Sequence, residues 1–156
     1  MAKLKSWIIL LAGILIVPAQ APASSGKEAA INWSTYEEAR MGDNHSRKYF
    51  IYFFTEQCGY CRMLEARTFT DESVIDYINS NYTPVRVNAG KEFKVASRFG
   101  IQGVPDLRFL SPEGEGIARW PGFIESSRLL ILLRYISTDS YKNMNFNDFA
   151  KNQQKE

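Results

Sequence analysis

Cys58 and Cys61 are the only cysteines of the 156-residue chain, and they stand in the run Cys58-Gly59-Tyr60-Cys61. Thiols at this spacing can cycle between dithiol and disulfide without moving the backbone, or they can supply part of a metal site. Structural zinc takes four ligands, and the chain's single imidazole, His45, falls in a polar turn between Asn44 and Ser46. A homodimer could complete such a set; otherwise no metal and no cofactor is expected. Haem attachment is excluded, because Arg62 and not histidine follows Cys61. A purely structural bridge is also a poor reading, since closing so short a loop removes little entropy from the unfolded chain. The pair reads as a redox couple.

Such a couple needs a rigid strand to deliver it and a helix to activate it. The run Lys48 to Thr55 is aromatic and β-branched without alternation, which predicts a strand buried on both faces. Helix-forming residues follow from Gly59 to Arg67, so Cys58 is expected at a helix N-terminus, where unpaired N–H groups and the dipole favour a thiolate. Upstream, Ser34-Thr35-Tyr36-Glu37 predicts a capping box for a first helix that ends near Gly42. Downstream, Thr70-Asp71-Glu72 opens a helix to Asn81 whose Val74, Ile75, Ile78 and Tyr82 recur at helical spacing and should face the core. A strand over Pro84 to Asn88 comes next, then a helix from Lys91 to Phe99 stopped by Gly100. Gly103-Val104-Pro105 leads into a strand over Asp106 to Leu110, a hairpin through Ser111 to Gly116 and a strand over Ile117 to Trp120. Leu129, Leu130, Leu133 and Ile136 mark the face of a helix over about Ser126 to Ile136. Alternating helices and strands with a closing hairpin imply an α/β fold, a central mixed β-sheet flanked by helices.

The N-terminus has two lysines, an apolar stretch from Trp7 to Val17 and small residues ending in Ala21-Pro22-Ala23. This predicts a cleaved signal peptide over residues 1–23, too short in its apolar part for the roughly 20 residues of a membrane span. Without Lys3 and Lys5, basic and acidic residues balance at 17 each. No electrostatic footprint for nucleic acid or an anionic membrane remains, and no stable membrane insertion is expected after cleavage. Residues 24–32 read as a linker, 33–137 as the domain, and 138–156 as an extension that either packs as a short helix or frays.

Taken together, the aromatic strand into Cys58-Gly59-Tyr60-Cys61, the Val85-Arg86-Val87-Asn88 strand, Gly103-Val104-Pro105, and Gly116 with Trp120-Pro121-Gly122-Phe123 resemble the thioredoxin superfamily, in particular its exported single-domain bacterial members. The resemblance covers roughly Trp33 to Ile136. It implies a thioredoxin fold in which Cys58 is the nucleophile, Cys61 the resolving thiol and Pro105 a cis-proline facing them, with Tyr60, Val104 and Pro105 meeting the substrate. Three positions depart from the cytosolic pattern: Gln57 replaces a tryptophan, Tyr60 a proline, and Tyr52 a buried aspartate that assists proton removal from the resolving thiol. Glu56 could take part of that role through water, and Arg62 could stabilise a thiolate.

The implied function is a periplasmic thiol–disulfide oxidoreductase, a monomer exchanging disulfides with protein partners and served by a membrane or periplasmic electron-transfer partner. The reductive direction is preferred. Two other readings stay open, a disulfide donor or isomerase, and a protein-binding or chaperone module whose disulfide is incidental.

Overall fold

The computed structural model describes residues 30–42 and 46–153. The signal segment, most of the expected linker and His45 lie outside the described residues. Helix α1 (Tyr36–Met41) precedes strand β1 (Lys48–Phe54), helices α2 (Gly59–Arg67) and α3 (Glu72–Asn81), and strand β2 (Tyr82–Asn88). Helix α4 (Phe93–Arg98), strands β3 (Asp106–Leu110) and β4 (Gly116–Pro121), and helices α5 (Ser126–Ser137) and α6 (Phe146–Gln153) complete the order, with a 3-10 turn at Ser140–Lys142.

The sheet runs β2-β1-β3-β4. β1 pairs parallel with β2 and antiparallel with β3, which pairs antiparallel with β4. A parallel neighbour needs a crossover, and α2 and α3 supply it. β1 is therefore central and covered on both sides, as its unbroken apolar sequence predicts. Phe50 and Tyr52 pack with Leu107 and Phe109 against Leu64 of α2, Val74, Ile75 and Ile78 of α3, and Leu129, Leu133 and Ile136 of α5. Tyr49, Ile51 and Phe53 face the other way, toward Ala39 of α1, Val95 of α4 and Phe99 at its C-cap. Each fully buried aromatic or aliphatic side chain contributes about 1.5–3 kcal/mol, so the strand that leads to the cysteines is firmly anchored on both faces.

Strand β2 starts at Tyr82, two residues before the expected Pro84, so Tyr82 reaches the core from the strand and not from α3, and β4 extends one residue further at each end. Two helix starts also differ from the sequence expectation. The capping box is real but one residue later: Thr35 is the N-cap, Glu38 N–H donates to its hydroxyl, and Glu38 answers at the Thr35 backbone. Ser34 is used instead as a parallel bridge to Val85, with Ser34 N–H donating to Pro84 O and Arg86 N–H to Ser34 O. Pro84 sits in β2 at the position whose backbone faces this bridge, so its missing N–H costs no ladder bond to β1. Helix α4 begins at Phe93 and not Lys91, because Asn88 gathers the N–H groups of Gly90, Lys91 and Glu92 into a turn.

Residues 30–32, expected as linker, are tied to the domain: Asn79 accepts from Asn32 N–H and donates to Ala30 O, and Ile31 is buried. The C-terminal extension is a helix packed on the domain. Phe146 packs edge-on and Phe149 tilted against Tyr135 at ring distances of 5.5 and 5.3 Å, and Phe146 meets Trp120 at 6.0 Å. Ending the chain at Asn143 should uncover Tyr135 and Trp120 and cost about 2 kcal/mol, the worth of two half-buried aromatic contacts. A lowered urea midpoint at an intact fold measures it; an unchanged midpoint would mean that α6 is only resting on the surface.

Candidate active site

The end of β1 hands the chain to α2 through Thr55, Glu56 and Gln57. Cys58 N–H bonds to Thr55 O (3.2 Å), and Cys58 then serves as the N-cap of α2. Its sulfur accepts the Cys61 N–H at 3.1 Å, so a backbone donor near the positive end of the helix points at the atom that would carry a thiolate charge. The two cysteines are joined as a disulfide with their Cα atoms 5.2 Å apart. They are not equivalent: Cys58 is half-buried, whereas Cys61 is 1% exposed and packs in the main core cluster.

The sequence separates Val104 from Cys58 by 46 residues, and the fold closes that gap. β3 runs antiparallel to β1 with Asp106 opposite Phe53, so the segment entering β3 lies beside the segment leaving β1. The Val104–Pro105 peptide is cis, and the Val104 carbonyl lies 3.5 Å from Cys58 Sγ. In the disulfide no proton lies between them; in the dithiol form the Cys58 thiol could donate to that oxygen. Pro105 O accepts the Gly122 N–H at 2.8 Å, which brings the turn after Trp120-Pro121 to the same rim. Gly122 has φ +86°, a conformation that side-chain-bearing residues rarely adopt.

Asp106 follows Pro105 and is fully buried. It accepts from Arg108 Nε at 2.7 Å and from Arg119 Nε and Nη2 at 2.9 and 2.8 Å. This charged clamp joins β3 to β4 directly behind the Val104–Pro105 loop. Sequence reasoning did not find it; the Asp106/Arg108 spacing was a signal, but the Arg119 contact depends on strand register.

Tyr60 stands 64% exposed on the first turn of α2. Arg62 lies back across that turn, its Nη1 donating to Glu56 O at 3.2 Å. The Glu56 carboxylate is held by Lys91 Nζ at 2.5 Å, so it is engaged in an exposed ion pair. A different carboxylate reaches the buried side of α2. Glu65, one turn beyond Cys61, accepts the Tyr52 hydroxyl at 3.1 Å and the Arg86 Nη2 at 2.6 Å. Tyr52 O–H also approaches the Cys61 carbonyl at 3.5 Å. Burial first, and the Glu65 charge second, push the Tyr52 phenol well above its ordinary value, so it is a proton-bearing donor at any physiological pH. Where the resemblance led to a missing carboxylate stands Tyr52, whose hydroxyl meets Glu65 and the main-chain carbonyl of Cys61; the spacing of Glu65, four from Cys61, was the readable clue.

A family model described as a thioredoxin-like domain matches residues 36–137. The structure is similar to a thioredoxin from Thermus thermophilus, with a TM-score of 0.62 and 24% identity over 69% of this chain and 87% of that one. It is also similar to a thioredoxin-fold protein from Helicobacter pylori, with a TM-score of 0.61 and 16% identity over 83% and 91% of the two chains. In sequence, the protein disulfide-isomerase erp38 of Neurospora crassa is 25% identical over 103 residues, which are 65% of this chain and 27% of the isomerase. The chain thus spans only about a quarter of that relative's length.

Proposed function

The chain belongs to the thioredoxin-like domain family and carries a CxxC disulfide where β1 meets α2, the constitution of a thiol–disulfide oxidoreductase; we propose that it works in the periplasm, reducing disulfides of exported proteins. The observation that carries this reading is the asymmetry of the couple: a half-buried Cys58 beside the Val104 carbonyl and a Cys61 sunk in the core. A thiolate at Cys58 attacks one sulfur of a partner disulfide, forming a mixed disulfide and releasing the other sulfur as a thiolate. Cys61, deprotonated in turn, attacks Cys58 Sγ and expels the second partner thiolate. Two electrons pass to the partner, the two thiol protons end on its sulfurs, and Cys58–Cys61 is left as the disulfide.

The open N–H and C=O of the Val104 region suit pairing with an extended substrate segment, with Tyr60 and Pro105 as its side walls. Arg62, one turn from Cys58, and the Cys61 N–H support the thiolate. The reductive direction is taken from the resemblance to exported thioredoxin-like proteins. Resetting the couple then requires a reduced dithiol on a membrane or periplasmic partner. The N-terminal segment, with its signal pattern, supports export.

The direction is tested by equilibrating the couple with glutathione. A potential at or below about −240 mV is the expected result for a reductase. A value near about −120 mV, that of a strong disulfide donor, would reverse the proposed electron flow.

A further inference from the structure

The last residues of β1 and β2 are paired, Phe54 opposite Asn88, so the loops that leave them run side by side at the end of the sheet that bears the disulfide. Ala89 N–H donates to Phe54 O at 2.8 Å, and Lys91 reaches across to Glu56. The 88–92 loop is tightly held. Asn88 Oδ1 accepts from Gly90 and Lys91 N–H, Asn88 O accepts from Lys91 and Glu92 N–H, and Glu92 Oε1 accepts from Asn88 N–H.

What this loop presents is Phe93. The other apolar residues of the segment turn inward: Ala96 is buried, and Phe99 packs on Phe53 and Tyr36 at 5.3 and 5.6 Å. Phe93 is 63% exposed, and among the described residues the exposed large aromatics are Tyr60 and Phe93. A phenyl ring fixed in water by a braced loop gains nothing for folding, since its burial would be worth about 1.5–3 kcal/mol. Before each ring in sequence, Glu56 and Lys91 pair with each other, so neither charge stands alone beside the 88–92 loop.

We propose that Phe93 is a docking residue for the partner polypeptide, and that this couple prefers protein disulfides whose cysteine is flanked by an apolar side chain. The inference rests on the oxidoreductase reading and names the substrate class of that same site. Phe93 takes no part in the exchange of sulfur bonds. Tyr60 follows the loop that leaves β1 and Phe93 the loop that leaves β2, so both exposed rings belong to the end of the sheet that bears the disulfide.

The test uses the intact protein and three substrates: a disulfide-linked peptide with leucines beside its cysteine, the same peptide with serines there, and glutathione disulfide. Phe93→Ser should lower kcat/KM on the leucine peptide by about tenfold, the value of one partly buried ring. It should change the serine peptide and glutathione disulfide by less than about twofold and leave the couple's potential unaltered, while Phe93→Leu recovers most of the loss. An equal loss on all three substrates, or a wild-type protein indifferent to leucine and serine, would overturn the proposal. Failure of the wild type to exchange even with glutathione disulfide would instead bring down the oxidoreductase reading beneath it.

Discussion

Cys58→Ser is expected to bring disulfide exchange down to the background rate of the uncatalysed mixture, with the fold unchanged. Serine keeps the shape of the N-cap and can still accept the Cys61 N–H, so α2 has no reason to move. What is lost is the only sulfur that a partner can reach, because the remaining thiol at Cys61 is 1% exposed. The companion variant behaves differently. Cys61→Ala leaves the first attack intact and removes the second, so partners should accumulate as mixed disulfides on Cys58 that reducing agent releases. Adduct capture from the protein's own compartment, followed by separation under non-reducing conditions, reads both outcomes. If biological activity survives Cys58→Ser, the domain is a docking scaffold and its disulfide is incidental.

Asp106→Ala should cost about 2–3 kcal/mol, a large part of the 5–15 kcal/mol that holds a domain of this size together. Asp106 is fully buried between two guanidiniums, and its removal leaves Arg108, only 17% exposed, without its counter-charge. Arg119 is 44% exposed and can turn to water, which keeps the figure below the full penalty for a broken buried pair. The damage should not stay local. Asp106 pins the start of β3 to β4, and the residue before it accepts the Gly122 N–H, so loosening the clamp loosens the Val104–Pro105 loop. Slower exchange with peptide disulfides should therefore accompany the lower denaturant midpoint, while the small disulfide of glutathione is affected less. A stability loss under about 0.5 kcal/mol would show that the clamp is surface decoration.

Much of this architecture could be read in one dimension. β3 falls at Asp106–Leu110 as expected, because a proline marks its start and turn residues mark its end. The core face of α3 was legible as well: Val74, Ile75 and Ile78 repeat at helical spacing, and all are buried. What stayed hidden depends on partners far along the chain. Ser34 and Thr35 are equally good caps followed by two glutamates, and the bridge from Ser34 to Val85 decides between them. The Asp106 clamp needs the β3–β4 register, and the link from Tyr52 to Glu65 and Arg86 needs both β1 and β2 in place under α2. The exposure of Phe93 was legible in the spacing: Val95 and Phe99, four apart, share the inward face, and Phe93, two and six positions before them, falls on the opposite side. Of the site itself, Cys58 and Cys61 declared themselves by spacing, whereas their proximity to Val104 exists only once the sheet has formed.

Cys61 is counted both as half of the couple and as part of the main core cluster, beside Leu64 and Tyr52. The electron affinity of the pair and the melting behaviour of the domain are consequently joined by a closed thermodynamic cycle: whatever free energy the folded state gains from the oxidised over the reduced form is the amount by which folding displaces the potential, about 1.4 kcal/mol for about every 30 mV. A cavity opened far from any substrate, on the buried side of α2, would then change how willingly the protein gives up electrons. Evolution can retune this molecule's redox poise by repacking its interior, leaving every residue that a partner touches as it was.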